Sequence, residues 1–167
     1  MTSLELPELF HLGWVVRDCD AAVADLGGRF GAGPFHQFPG AYRFEEALVR
    51  GKPRPFSLKI AFCVLGGILV ELLEPLDDAS PHAEFLARNG EGLHHLAYLV
   101  PDFDKQLGAA REATPDRQLL VDGSGPGNPV RWAYLEGDGS HGAIIELLER
   151  SPKAEEVFHD VLALLEG

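Results

Sequence analysis

The sequence predicts an α+β fold made of two copies of one βαβββ module, followed by a C-terminal helix. The prediction rests on an internal repeat. His11-Leu12-Gly13-Trp14-Val15-Val16-Arg17-Asp18 returns as His95-Leu96-Ala97-Tyr98-Leu99-Val100-Pro101-Asp102, an offset of 84, and Asp20 and Asp104 extend the match. Further along, Ile60-Ala61-Phe62 resembles Trp132-Ala133-Tyr134 at an offset of 72. Gly67-Ile68-Leu69-Val70-Glu71-Leu72-Leu73-Glu74 resembles Gly142-Ala143-Ile144-Ile145-Glu146-Leu147-Leu148-Glu149 at an offset of 75. Three anchors in one order, with small length differences between them, mark a duplicated supersecondary unit. A chain of 167 residues that is 46% hydrophobic is sized for a single domain with a proper core.

The first module spans residues 9–80. HLGWVVRD opens it as a strand, on its β-branched and aromatic content. Asp18 or Asp20 caps the helix CDAAVADLGGRF, which Gly27 and Gly28 are expected to end. AYRFEEALVRG, SLKIAFCVL and GILVELLEP then supply the strands, with Cys63 as a small core residue. PHAEFLARNGEG, residues 81–92, is a linking helix with Asn89-Gly90 at its end. The second module, 93–150, repeats the order: HLAYLVPD, the helix FDKQLGAAREA behind Asp102 or Asp104, then QLLVD, PVRWAYLE and GAIIELLER. KAEEVFHDVLALLE, within 151–167, closes the chain as one amphipathic helix. The loop GSGPGNP lacks the Lys-Ser/Thr of a phosphate loop and reads as a turn.

Charge and composition exclude several classes of partner. A net charge of −12 with no long basic run argues against nucleic acid and against an anionic membrane surface. The N-terminal MTSLELPELF has neither a basic n-region nor an apolar h-region, and no apolar stretch nears the roughly 18 residues of a membrane span. Cys19 and Cys63 have no CxxC spacing. A cytoplasmic location is therefore expected.

The repeat also singles out four polar side chains. Alternation along a strand puts His11, Gly13 and Val15 on one face, and His95, Ala97 and Leu99 on the matching face of the second copy. The opposite face, with Trp14, is expected to pack under the helices, and Trp132 is likewise read as core. Glu71 and Glu146 interrupt the runs ILVELL and AIIELL, where a carboxylate is costly unless it is solvated, paired or bound to metal. If the modules face a common cavity, His11, Glu71, His95 and Glu146 converge on one metal ion. Two imidazoles and two carboxylates suit Zn, Ni, Co, Mn or Fe. On an octahedral ion they leave two positions for substrate oxygens, an open and catalytic arrangement. The competing reading is a solvated sheet face, but such a face has no need of the same residue types twice. In the doublet His94-His95, His95 is in register with His11, so His94 is expected to point away and to pack or hydrogen-bond. Arg43, Arg50, Lys52, Arg54 and Lys59 form a local basic cluster, either a solvated hairpin or a contact for an anionic substrate group, with Arg43 and Arg54 the substrate-binding candidates. Glu45 or Glu46 is a further candidate base on that hairpin.

With these motifs the sequence resembles the vicinal oxygen chelate (glyoxalase/bleomycin resistance/dioxygenase) superfamily over about residues 9 to 150. The stretch from KIAF through VELLEPLDDASPHAEFLARNGEGLHHLAYLVPDFD, and the GAIIELLE ending, are similar to its methylmalonyl-CoA epimerase-like members. The resemblance implies a glyoxalase fold of curved sheets around a metal-binding cavity, with ligands His11, Glu71, His95 and Glu146. Epimerases often carry Gln at the position of Glu71, and some glyoxalase I enzymes carry Glu. AYRFEEALVRGKPRPFS is longer than the hairpin of the short epimerases. The implied activity is a metal-dependent epimerase or isomerase that removes and returns an α-proton on a carbonyl or thioester substrate. Glu146, and secondarily Glu71, is the base. A homodimer is expected. The alternatives are a glyoxalase I-type lactoylglutathione lyase, an Fe(II) extradiol dioxygenase, for which Glu71 is surplus, and a resistance-type binding protein without catalysis.

Overall fold

The computed structural model describes residues 6–113, 119–136 and 144–166. Its first strand, β1 (Leu9–Val15), leads into helix α1 (Cys19–Phe30). Strands β2 (Phe35–Gln37), β3 (Tyr42–Phe44), β4 (Leu48–Val49) and β5 (Lys52–Pro53) are short, and β6 (Phe56–Leu65) and β7 (Ile68–Pro75) are long. Helix α2 (Pro81–Asn89) links to β8 (Gly92–Val100), α3 (Phe103–Ala113), β9 (Val121–Asp122), β10 (Trp132–Glu136) and β11 (Ile144–Glu149). Gln118 of the expected strand QLLVD, and Gly142 and Ala143 of GAIIELLER, lie outside the described residues.

The strands form one mixed sheet in the order β2-β6-β7-β1-β8-β11-β10-β9-β4-β5, with β3 also paired to β6. The two copies meet where β1 runs antiparallel to β8, while β7 and β11 flank this pair in parallel. The extended hairpin of the first module reaches across: β3 pairs with β6 of its own module, but β4 pairs with β9 of the second. The segment expected as one strand is therefore an arm that ties the modules together.

Caps fall at matched positions in the repeat. Asp18 accepts a hydrogen bond from the Ala21 N–H at 2.9 Å, and Asp102 accepts one from Lys105 N–H at 3.1 Å. Ser80 caps α2 through the Ala83 N–H at 3.0 Å. Helix α1 does not stop at Gly27-Gly28; it continues to Phe30 and ends at Gly31, where φ is 64°. Glycines weaken a helix interior by about 1 kcal/mol each, yet here Cys19 and Leu26 pack against Val70 and Leu72 of the sheet. A Cβ at Gly27 would already press on the Phe35 ring, at 3.3 Å. The closing helix is likewise two short helices, α4 (Pro152–Val157) and α5 (His159–Ala163), broken at Phe158. There the ring turns inward onto Phe10 and Phe62, at centroid distances of 5.6 and 6.3 Å.

Trp14 departs from its expected place in the core: it is 41% exposed. Helix α1 packs on β6 and β7, and α3 on β11, and neither covers the Trp14 ring. Cys63 is fully buried as expected, and burial pushes its thiol up to about 11. No helix among the described residues is long and apolar enough to cross a membrane.

Candidate metal centre

The four middle strands each contribute one donor to a common point: Glu71 from β7, His11 from β1, His95 from β8 and Glu146 from β11. Pairing explains the convergence. Gly13 lies between Glu71 on one side and His95 on the other, and Ala97 lies between His11 and Glu146. Neighbouring residues across a sheet point to the same face, so two rows of three put all four side chains over one patch. Gly13 is required there: a Cβ at this position would lie 2.0 Å from Cε1 of the His95 ring.

All four residues are buried. The His11 Nε2 atom lies 3.1 Å from Glu71 Oε2 and 3.3 Å from Glu146 Oε2. His95 Nε2 lies 3.4 and 3.2 Å from the same two oxygens, and the two ring nitrogens are 3.3 Å apart. Bonds of about 2.0–2.2 Å from one ion place adjacent donors roughly 2.8–3.5 Å apart in octahedral or tetrahedral geometry. The spacing fits a single divalent cation. So does the chemistry of the atoms, since Glu146 Oε2 is buried without an oriented hydrogen bond.

Without an ion, protons take its place. Burial favours neutral His11, but the Glu71 and Glu146 carboxylates outweigh it and raise the imidazole from 6.5 to about 9. His95 is raised in the same way, against its own burial, chiefly by Glu146. Burial pushes both carboxylates up, but the two histidines prevail and hold Glu71 and Glu146 below the usual carboxylate range.

His94 sits beside His95 rather than on the opposite face. Between Gly13↔His95 and Trp14↔Leu93 the register of β1 and β8 slips by one, leaving His94 as the extra residue of a β-bulge. Its Nδ1 is 3.0 Å from His95 Nδ1. With the proton on His95 Nδ1, His95 donates to His94 and keeps Nε2 free for a metal. The His94 ring stacks near His82, at 4.6 Å, and burial holds both rings neutral, His82 down to about 3. Tyr134 hydroxyl closes the array at 3.0 Å from His82 Nε2.

Other sequence candidates do not reach this point. Arg43 contacts Glu45 at 2.9 Å and the Ser57 hydroxyl at 3.2 Å, and Arg54 contacts Glu84 at 3.3 Å. Neither arginine lines the cavity above the four donors. Glu46 accepts a hydrogen bond from Gly127 N–H at 2.9 Å, which fastens the arm to the loop 125–128. The cavity itself was not legible in the repeat. Glu71 and Glu146 form part of its floor, and rings from Phe38, Phe44, Phe62, Trp132 and Phe158 form much of its wall. Trp132 is thus buried as expected, but it faces the cavity.

Comparison with known proteins agrees with this architecture. Residues 10–115 match the model of the Glyoxalase/Bleomycin resistance protein/Dioxygenase superfamily. An uncharacterized protein, YqjC of Bacillus subtilis, is 31% identical over 60% of this chain and 69% of its own length. The ethylmalonyl-CoA/methylmalonyl-CoA epimerase of Cereibacter sphaeroides is 30% identical over 83% of this chain and 95% of its own. The crystal structure of methylmalonyl-CoA epimerase from Mycobacterium tuberculosis superimposes with a TM-score of 0.65 at 26% identity, covering 93% of this chain and 95% of that one. By its sequence, its duplicated modules and its sheet, the chain belongs to the Glyoxalase/Bleomycin resistance protein/Dioxygenase superfamily, in the methylmalonyl-CoA epimerase-like branch.

Proposed function

We propose that this protein is a metal-dependent epimerase or isomerase that removes and returns a proton α to a carbonyl or thioester. The observation that carries the reading is the convergence of His11, Glu71, His95 and Glu146 on one point, with ring nitrogens and carboxylate oxygens 3.1–3.4 Å apart, below a ring-lined cavity. The kinship with an ethylmalonyl-CoA/methylmalonyl-CoA epimerase supports a coenzyme A thioester as substrate.

A divalent ion held by these four residues, Zn, Ni, Co, Mn or Fe, would polarise the substrate carbonyl and stabilise the charge that develops on its oxygen. The chain's own groups do the rest. Glu146 is the base, a carboxylate that borders the cavity where the reacting carbon would lie. Glu71, on the far side of the histidine pair, is the second carboxylate that returns a proton. His94 holds the His95 tautomer, and the aromatic walls exclude water from the reacting carbon.

The test is α-proton exchange in deuterated water with methylmalonyl-CoA, using protein stripped by chelator and then reloaded with each metal. Exchange that appears only after loading, and that Glu146→Gln abolishes, is expected. Bound metal with no exchange on any α-acidic thioester would refute the reading.

A further inference from the structure

The cavity above the four donors has an uneven chemistry. Its empty volume is about 650 Å³, including its mouth, and its only ionisable acids among the described residues are Glu71 and Glu146 on the floor. Among the described residues no lysine or arginine lines it. The nearby cations are committed elsewhere: Arg43 to Glu45, Arg54 and Arg50 to Glu84, and Lys59 to Asp20. The walls are mostly rings and aliphatic chains, with Asn128 and His82 as uncharged polar members. Phe44 stands 5.3 Å from Trp132 and 4.7 Å from Tyr42, and Phe62 spans 6.1 Å to Phe38.

Part of this wall comes from segments outside the inner strands. Tyr42 and Phe44 stand on the arm that crosses to the second module, and Val157 and Phe158 on the broken C-terminal helix. The strands bring the polar donors together with Phe62, Trp132 and Leu148; the arm and the C-terminal helices add further apolar surface.

We infer that the part of the substrate held inside the cavity carries, beside its pair of chelating oxygens, a bulky apolar group, aromatic or branched, and no second anionic group, any further charge of the substrate lying outside the mouth. This rests on the metal-dependent reading of the same site and names its substrate class. The charge argument is direct. Two floor carboxylates offset one divalent ion, so an oxygen pair on the ion is accommodated, whereas a further carboxylate among the rings has no cation to meet it and loses its hydration. A phenyl or branched alkyl group instead gains burial against ring faces and edges.

The experiment holds the oxygen pair constant and varies the tail. Pyruvate, phenylpyruvate and oxaloacetate share a 2-oxocarboxylate head and carry methyl, benzyl and carboxymethyl tails. Dissociation constants are measured by calorimetry on cobalt-loaded protein, with the visible spectrum of cobalt confirming that the head reaches the metal. Phenylpyruvate is expected to bind about 10- to 100-fold more tightly than pyruvate, and oxaloacetate no better than pyruvate. Phe158→Ala should narrow the gap between benzyl and methyl tails by about tenfold, and the wild-type series stands without it should the variant not fold. Equal affinities, or tightest binding of oxaloacetate, would overturn the inference. The outcomes separate from those of the proton-exchange test. Exchange with a flat tail series refutes the apolar group alone; a steep tail series without exchange on any thioester refutes the catalytic reading alone.

Discussion

Adding one methyl group at residue 13 should dismantle the metal centre. Gly13 is paired with both Glu71 and His95, and a Cβ built there falls 2.0, 2.2 and 2.3 Å from Cε1, Nε2 and Nδ1 of His95. Ordinary van der Waals contact for a Cβ begins near 3.4 Å, so in Gly13→Ala the imidazole has to retreat by more than about 1 Å. Metal–ligand distances tolerate only about 0.2 Å. The ring sits between Gly13 and His94, its Nδ1 held 3.0 Å from His94, so it cannot retreat and keep its Nε2 at the common point. One of four donors is lost. Disturbing even an outer-shell partner typically costs 10- to 100-fold in metal affinity; loss of His95 should cost at least about 100-fold. The overpacking itself costs about 1–3 kcal/mol of stability. Competition against a chromophoric chelator reads the affinity, and urea unfolding of metal-free protein reads the stability separately. If Gly13→Ala binds cobalt or zinc as tightly as the parent, His95 is not a ligand and the centre is wrongly drawn.

The doublet gives a second, sharper comparison. His95→Ala should abolish stoichiometric metal binding, while His94→Ala should keep one ion per chain with affinity reduced about 10- to 100-fold; equal losses in both would contradict the division between ligand and partner. The metal-free protein should also show an unusual pH dependence. His11 is raised from 6.5 to about 9, so its ion pairs stabilise the fold fully below 6.5, and that stability is lost as pH rises through 9. At 1.36 kcal/mol per pKa unit the loss approaches about 3 kcal/mol. Urea midpoints with a chelator present should therefore fall between pH 6 and pH 9.5. Metal affinity should rise over the same range, because each imidazole must give up its proton to bind. A metal-free midpoint that is flat or rising would show that the histidines are not charged.

Much of this centre could be read from the sequence because it lies in the duplicated part. His11 with Gly13 and His95 with Ala97 keep the same spacing, and the Glu of each ELL strand is the one charge in an apolar run. Strict alternation, the rule used to assign faces, fails where the strands slip. His94 is an extra residue in β8, and the slip between Leu9 and His11 makes Phe10 its counterpart in β1. A bulge is set by pairing with another strand, which a single strand's sequence does not encode. Trp14 misled for a related reason: being apolar does not secure a helix overhead, and α1 settled on β6 and β7. The cavity wall had no signal at all. Phe44 belongs to a segment without a second copy, and an aromatic residue on an arm or a closing helix looks the same whether it faces a core or a ligand.

The antiparallel pairing of β1 with β8 places a local twofold axis between Leu12 and Leu96. That axis exchanges His11 with His95, Gly13 with Ala97 and Glu71 with Glu146. Under the proposed reaction, a flat intermediate lying along such an axis would meet one of two like-placed carboxylates on either side. The arm with Tyr42 and Phe44 is one source of asymmetry in the wall, since the repeat in the sequence does not include it. Under the same reading, changes in that part of the wall should alter the ratio of stereoisomers at which the reaction is poised on the protein without touching Glu71 or Glu146.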